Sequence, residues 1–362
     1  MRRIHLLGAL ILSLGLMGMA VPAQADTLVK QSAAALATPK NLTSLDDAQV
    51  HFVTVPTAYA NATNPHGVNT IASDQGSAVT FTTKYLLPIP GYQHQAWGDP
   101  QSSAVVGQYL YVVYCPTAWQ NRGRIVRFDM SALAQLNATP RQIQMVYATA
   151  ADHSAQEKQI RAAIKVGPAF ATGHGQSLAY DWATQKFYMW CDKESAPRVN
   201  LSKYGVLQQI SASTLTPVHK IQFRLKSKTL NVPGGHVLAF DQAGHAYFWT
   251  RPDPVNVYLY QGTIQNNRVH FQLTKQILEH GPGTCVQSMA YNPHNDRLYL
   301  VADDSIASLP VSKLGQLTSD DVTWTGFDST REFEGLTFGD DGQAYLMSNH
   351  NPEILTSNSL NW

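Results

Sequence analysis

The sequence predicts an all-β fold, specifically a five-bladed β-propeller, because one short pattern returns five times. In each copy a polar residue is followed by three residues, an aromatic residue, a turn and an aromatic-rich strand. A period of about fifty residues that contains strands rather than helices is typical of propeller blades. The copies begin at Gln93, Gln176, His236, Gln287 and Glu334.

Side-chain alternation indicates that the first strand of each copy is buried on both faces. In the second copy, Leu178 and Tyr180 occupy one face of the strand, whereas Ser177 and Ala179 occupy the other. Successive side chains of a strand point to opposite faces, so this arrangement places bulky groups on one side and small groups on the other. Neighbouring blades can then pack closely around an axis.

The last copy lacks one strand, and the N-terminal region supplies a candidate for it. After residues 353–356 the chain ends without a fourth strand, whereas residues 78–87 alternate through Val79, Phe81, Thr83 and Tyr85. We expect this N-terminal strand to complete the last blade and close the ring, because closure removes two exposed sheet edges.

The spacing between the first two copies predicts a small helical insertion between blades 1 and 2. The extra residues are 151–175, and residues 154–166 have a helical composition with Ile160 and Ile164 available for one face. We expect this helix near the mouth of the axial channel, where it either caps the site or fills a gap.

The N-terminus predicts a secreted protein. Arg2 and Arg3 precede an apolar run over residues 6–20, and Ala23 and Ala25 form a small-x-small cleavage site. We therefore expect a signal peptide over residues 1–25 that is cleaved after Ala25, a linker over residues 26–50 and a propeller domain over residues 51–362.

Charge and hydropathy exclude two classes of partner. Once Arg2 and Arg3 are removed from the 26 basic residues, the net charge against 25 acidic residues is about −1, and charged residues are only 14% of the chain. This balance gives no reason to expect nucleic acid as a partner. No second apolar run reaches membrane-spanning length, so we expect no stable membrane insertion.

The candidate ligand-binding residues are the polar heads of the innermost strands and their neighbours. Such amides, imidazoles and carboxylates can bind a sugar, hold ordered water or bind a cation, although they can also simply satisfy buried backbone groups at the strand starts. Because phosphate-cradling Gly loops and metalloprotease motifs are absent from the sequence, we expect no cofactor. The candidates are Gln93, His94, His174, Gln176, His236, Gln287, Glu332 and Glu334.

The acidic residues favour binding over catalysis. Glycoside hydrolysis requires two carboxylates that flank one bond. The expected ring offers Glu334, with Glu332 two residues earlier on the same strand face, and no acidic partner from another blade. We therefore expect a binding protein more readily than an enzyme.

The chain resembles the helveticin J-like bacteriocins of lactic acid bacteria. The resemblance rests on three short motifs, which are His94-Gln95-Ala96-Trp97, residues 173–176 and residues 332–336, and it extends over roughly residues 50–362. Gln176 stands where the family pattern has an acidic residue.

The resemblance implies a secreted antibacterial propeller that binds a component of the bacterial cell envelope through its axial face. Two alternatives remain at this point. One is a glycan-binding module that acts in adhesion without killing, and the other is an envelope glycan hydrolase.

Overall fold

The computed structural model describes residues 27–89, 91–115, 121–148, 154–191, 205–227, 230, 232, 237–265 and 267–362. The expected signal peptide at residues 1–25 lies outside these residues. In chain order the first strands are β1 (Thr27–Ala34), β2 (Leu36–Ala37), β3 (Thr43–Leu45), β4 (Thr70–Gly76), β5 (Thr80–Leu86), β6 (Asp99–Val106), β7 (Tyr109–Cys115), β8 (Arg124–Asp129) and β9 (Ile164–Val166).

The later strands continue in the same chain order. They are β10 (Ala179–Asp181), β11 (Lys186–Trp190), β12 (Gly205–Ile210), β13 (Pro217–Arg224), β14 (Ala239–Phe240), β15 (Ala246–Thr250), β16 (Tyr258–Gln265), β17 (Arg268–Leu273), β18 (Gln276–Leu278), β19 (Ser288–Asn292), β20 (Arg297–Ala302), β21 (Ser305–Pro310), β22 (Thr323–Phe327), β23 (Phe333–Phe338), β24 (Ala344–Ser348) and β25 (Glu353–Ser357).

The fold is all-β and propeller-like. Antiparallel sheets form from consecutive strands in the orders β6-β7-β8-β9, β10-β11-β12-β13, β14-β15-β16-β17 and β19-β20-β21-β22. The first strands of these sheets and β23 contact one another in the cyclic sequence β6, β10, β14, β19, β23 and back to β6. Residues of all of these first strands line one narrow central space of about 40 Å³. The sheets therefore surround a common axis.

The last sheet is completed by an N-terminal strand. β5 pairs antiparallel with β25, with Tyr85 opposite Ile354 and Phe81 opposite Ser357. This is the pairing expected for residues 78–87. The hydroxyl of Thr83 also donates to Glu353 Oε2 over 2.7 Å, inside a buried cluster. β4 then pairs with both β5 and β22, so the last two sheets are joined into one of nine strands.

The expectation of a linker over residues 26–50 is wrong for the part that the structure describes. β1 pairs parallel with β13, β2 with β17, and β3 with β18. These outer strands would otherwise expose unpaired backbone groups along an edge, and the N-terminal segment satisfies them. The alternation in this segment is weak because most of β1 is exposed.

The helical insertion contains two helices before residue 151 that were not expected, and its last helix ends earlier than expected. It contains α1 (Met130–Gln135), α2 (Pro140–Gln144) and α3 (Ala155–Ala162). The side chain of Ser154 accepts from Glu157 N over 3.2 Å, and Glu157 Oε2 accepts from Ser154 N over 2.8 Å, which is a capping box.

The predicted helix over 154–166 stops early because its last residues form a strand instead. Ile164 and Val166 belong to β9, which pairs with β8 as the outermost strand of its sheet. α3 packs against α2 and β9, and its residues do not line the axial cavity described below. The helix therefore lies at the outer edge of the sheet and not at the channel mouth.

The large aromatic side chains mostly form the core. Trp190 and Trp249 are almost fully buried, and their indole nitrogens donate to backbone oxygens of Val237 and Ser288 over 3.1 and 3.0 Å. Within the described residues, no helix is both long enough and apolar enough to cross a membrane.

Candidate functional site

A polar cavity of about 720 Å³ lies where the innermost strands begin. Five of the eight residues predicted from the sequence line it, namely His174, Gln176, Gln287, Glu332 and Glu334. They are brought together because β10, β19 and β23 lead away from the same end of the axis, and the residues just before or at the start of each strand share that end.

The floor of the cavity is a buried network of amides and a carboxylate. Gln176 Nε2 donates to Gln287 Oε1 over 2.9 Å and to Glu334 Oε2 over 3.3 Å. Asn349 Nδ2 donates to the other carboxylate oxygen, Glu334 Oε1, over 3.1 Å. All of these side chains are buried, so the network fixes which atoms each group presents to the cavity.

Asp303 extends this network and was not predicted from the sequence. It follows β20 directly, and its Oδ1 accepts from Gln287 Nε2 over 2.9 Å and from the backbone nitrogen of Phe333 over 3.2 Å. Its Oδ2 accepts from the hydroxyl of Tyr59 over 2.9 Å. The signal available in the sequence was an acidic pair, Asp303 and Asp304, in a tight turn at the axial end of a strand.

The assignment of Gln93 to the head of the first inner strand is wrong. Gln93 and His94 are exposed, have φ angles of 50° and 63°, and lie in a turn that pairs Tyr92 with Gln95. Neither residue lines the cavity. Trp97, the aromatic residue of that supposed copy, packs against Tyr92 and other rings outside β6.

The first inner strand is β6, and Gln101 occupies the position expected for Gln93. Residues 101–104 read Gln-Ser-Ser-Ala, which matches Gln-Ser-Leu-Ala in the second copy. Gln101 is buried and lines the cavity. The sequence pattern did not reveal it because Val105 stands where the other copies have an aromatic residue. His236 lies outside the described residues, so its predicted place in the ring stays a prediction.

Burial shifts the protonation of the axial carboxyl groups. It raises the pKa of Glu334 well above its ordinary value, and the negative charge of Glu332 adds to that rise. Burial also raises the pKa of Glu332 and of Asp303, against hydrogen bonds from Asn349 and from Gln287 that lower them. Loss of water disfavours the charged form of an acid, which is the cause common to all three.

The rim of the cavity carries the basic and aromatic groups. His350 Nε2 lies 3.4 Å from Glu332 Oε2, and the His350 ring stands 5.4 Å from the ring of Tyr59. Arg251 lines the cavity, donates to His280 O over 2.7 Å and lies over the ring of Phe52 at 5.3 Å. These contacts hold the rim in a defined shape.

A strap formed by residues 51–62 crosses one side of the cavity. The strap is held by backbone bonds from Val53 N to Pro282 O, from Ala60 N to Thr330 O and from Ala62 N to His350 O. It contributes Val55 and Tyr59 to the lining. The N-terminal region therefore builds part of the site as well as the last sheet.

The acidic side chains at the cavity come from more than one sheet, whereas the sequence predicted them on a single strand. Asp99 from β6 lines the cavity with Glu332 and Glu334, and Asp303 lies behind Gln287. Carboxylates from separate sheets are thus available. Within the described residues, no group of three or more His, Cys, Asp or Glu side chains is arranged to hold a metal ion.

Comparisons with known proteins assign no role to the residues of this cavity. A family model described as SdiA-regulated matches residues 198–354, which is less than half of the chain. No curated protein matches the sequence.

Solved structures share the fold only distantly. The chain is similar to 1,3Gal43A, an exo-β-1,3-galactanase from Clostridium thermocellum, with 10% identity, a TM-score of 0.44 and coverage of 80% of this chain and 61% of that one. It is also similar to the soluble aldose sugar dehydrogenase from Escherichia coli, with 11% identity, a TM-score of 0.36 and coverage of 80% and 99%. Neither likeness carries an argument about function.

Proposed function

We propose that this protein is a secreted five-bladed propeller that binds a glycan of the bacterial cell envelope in its axial cavity. The blade count is supported by the cyclic contact order of β6, β10, β14, β19 and β23. Secretion is supported by the signal-peptide pattern of residues 1–25.

The observation that carries the proposal is the amide and carboxylate floor of the cavity. Gln176, Gln287, Asn349 and Glu334 are oriented by one another beneath a space of about 720 Å³, which is the size of a small-molecule site. Fixed planar groups that offer both donors and acceptors suit the paired hydroxyls of a sugar. A preorganised site also avoids the cost of ordering its side chains on binding.

The consequence for the cell is inhibition of growth, as in the helveticin J-like bacteriocins that the sequence resembles. Binding to the envelope of related bacteria would place the protein on its target. A protein that binds the same glycan without inhibiting growth would be an adhesion module, which is the alternative function.

Hydrolysis of an envelope glycan gains one specific observation in its favour. Asp99 and Glu334 come from different sheets and line one cavity, so the cavity contains the two carboxyl groups that glycoside hydrolysis requires. Release of reducing sugar from purified cell walls, lost in Glu334→Gln, would establish this activity. Wall binding without any release would reject it.

The test of the binding proposal is a pull-down of the purified protein with cell walls and a growth-inhibition assay on related Gram-positive bacteria. The double variant His174→Ala/Glu334→Gln changes the cavity, whereas His94→Ala changes an exposed turn outside it. We expect the double variant to lose wall binding and His94→Ala to retain it. Equal binding by both variants would exclude the cavity as the binding site.

A further inference from the structure

The outer edges of two neighbouring sheets carry positive charge without any acidic residue. The strands concerned lie within residues 27–45, 205–227 and 254–278, and all 25 acidic residues of the chain lie outside these three segments. The lysine and arginine residues of the segments, which we call the basic edge, are Lys30, Lys40, Lys220, Arg224, Lys226, Arg268 and Lys275. The charge of the chain is therefore nearly balanced overall and unbalanced here.

Pairing of the N-terminal strands brings the three segments together. β1 pairs with β13, and β2 pairs with β17, and Arg224 Nη2 donates to Ser32 O over 3.0 Å. Gln31 joins the two sheets, because its Nε2 donates to Val269 O over 3.0 Å and its Oε1 accepts from Val269 N over 2.8 Å. The basic edge is thus one continuous surface.

This surface is open to solvent and contains a groove. Lys220 is half-buried, and the other residues of the basic edge are exposed. Lys30, Arg268 and His270 line a groove of about 570 Å³ between β1 and β17. None of the described residues of the basic edge lines the axial cavity. The groove therefore gives a linear anion a track that is separate from the cavity, and the positive potential of the surface concentrates anions there.

The basic edge presents charge without aromatic faces. Within the described residues of the three segments, no aromatic side chain is exposed, since Phe223, Tyr260 and Phe271 are buried and Tyr258 is half-buried. Proteins that bind single-stranded nucleic acid combine a basic groove with aromatic side chains on which the bases stack. The surface therefore suits an anionic polymer that has no bases.

We propose that the basic edge binds a phosphodiester polymer of the bacterial cell wall. Lysine and arginine are the side chains that bind phosphate oxygens by charge-assisted hydrogen bonds, and a linear polymer can follow the groove. The inference adds a second binding surface to the cavity and rests on the proposed function only for the place of the polymer. Two sites on one chain that engage the same wall raise the overall avidity.

The experiment is calorimetric titration of the purified full chain with a soluble oligomer of glycerol phosphate. We expect affinity to fall about tenfold or more between about 50 and about 200 mM salt, because each phosphate contact releases counterions. The same chain is pulled down with cell walls before and after cold hydrofluoric acid removes their phosphodiester polymers. We expect weaker binding to the treated walls, and an unchanged amount bound would contradict the inference.

The variant Lys30→Gln/Lys226→Gln/Arg268→Gln removes three exposed charges from the basic edge. We expect it to bind the oligomer about tenfold or more weakly, with a shallower dependence on salt. The charge-preserving variant Lys30→Arg/Lys226→Arg/Arg268→Lys should bind like the wild type. Loss of binding in this variant as well would show that charge is not what the surface supplies.

The matched control is Lys84→Gln/Lys158→Gln/Lys186→Gln, which removes three exposed charges outside the three segments. It changes the net charge by the same amount, so we expect it to keep the affinity of the wild type. Urea midpoints of all variants establish that each is folded. Equal affinities of the control and the basic-edge glutamine variant would overturn the inference.

The remaining outcomes separate this inference from the proposed function. The cavity variant His174→Ala/Glu334→Gln should bind the oligomer like the wild type, and its failure to do so would move the polymer to the cavity and overturn the inference. If the basic-edge glutamine variant binds walls normally while the cavity variant does not, the inference fails and glycan binding stands. Tighter binding of a thymidylate oligomer or of polyglutamate of equal charge would overturn the choice of polymer.

Discussion

The side-chain nitrogen of Gln176 lies 3.3 Å from Glu334 Oε2, although the two residues stand at the heads of different sheets. The same nitrogen donates to Gln287 Oε1 over 2.9 Å. One amide therefore ties three innermost strands together across the axis. This arrangement buries the carboxyl group of Glu334, and burial raises its pKa.

Glu334→Gln should stabilise the protein at neutral pH. The pKa of Glu334 is raised in the folded state, so the folded protein favours a neutral side chain. Glutamine is neutral, and the Asn349 amide that donates to Glu334 Oε1 can turn over so that its oxygen accepts from the new amino group. We expect the free energy of unfolding at pH 7.5 to rise on the order of 1 kcal/mol, since a tenfold change in an acid dissociation constant corresponds to about 1.4 kcal/mol.

Urea unfolding of the wild type and the variant at pH 7.5 and pH 4.5 measures this difference. The gain should be smaller at pH 4.5, where the wild-type acid is already largely neutral in the folded state. A variant that is less stable than the wild type at both pH values would contradict the prediction.

The stability of the wild type should increase as pH falls from 7.5 to about 5. Burial raises the pKa of Asp304 to about 6 and also raises those of Asp303, Glu332 and Glu334. A raised pKa in an acid gives stability that is present at low pH and is lost as pH rises through the folded-state value.

The pKa of Asp321, in contrast, is lowered to about 2. Its contribution is present above the unfolded-state pKa, near 4, and is lost only in stronger acid. Thermal melting at pH 5, 6, 7 and 8 checks the expected order, with the highest Tm at pH 5. A Tm that falls steadily from pH 8 to pH 5 would show that other groups dominate.

Arg331→Met should strongly destabilise the closure between the N-terminal and C-terminal strands. Arg331 forms a buried ion pair with Glu353 at 2.9 Å, and Glu353 also accepts from Thr83 and Asn69 over 2.7 and 3.1 Å. Removal of one partner of a buried pair leaves an uncompensated charge, which costs about 3–5 kcal/mol.

The matched control for this ion pair is Lys313→Met, which breaks the exposed ion pair between Lys313 and Asp321. Surface pairs contribute little, so we expect almost no change in the urea midpoint for the control. Similar losses in the two variants would mean that the closure network does not depend on buried charge.

Gly244→Ala should be more destabilising than Gly107→Ala. Both glycines have positive φ, at 84° and 53°, which costs a residue with a Cβ about 1–2 kcal/mol. An added Cβ at Gly244 would also lie 2.8 Å from the Cβ of Ala183, whereas one at Gly107 meets nothing within 4 Å. Urea unfolding of both variants measures their losses in unfolding free energy, and the difference between the two losses is the steric cost at position 244. Equal losses would mean that the turn at Gly244 shifts freely.

Local patterns predicted most strands of the second to fifth repeats, because alternation and turn residues are encoded within each hairpin. The aromatic-rich strands Lys186–Trp190 and Ala246–Thr250 follow the inner strands of the second and third copies after a turn, as the repeat pattern predicts. The first repeat failed because Val105 lacks the aromatic signal, and a turn near Trp97 imitated the pattern by chance.

Much of the candidate site could also be anticipated, since the polar residue that heads an inner strand must approach the axis. Gln176, Gln287 and Glu334 followed from this rule. Asp303 and Tyr59 did not, because their roles depend on which loop folds over which strand end. The hydroxyl of Tyr59, for example, bonds Asp303, which lies 244 positions later in the chain.

The sequence by itself determined the strand periodicity, the repeat and the residue types available at the axis, because these depend on alternation and spacing within about fifty residues. Only the tertiary structure decided that the N-terminal segment adds strands to the outer edges and that carboxylates of separate sheets meet in one cavity. The physical reason is that unpaired edges and buried charges are satisfied by partners that are distant in the chain, and no local pattern specifies them.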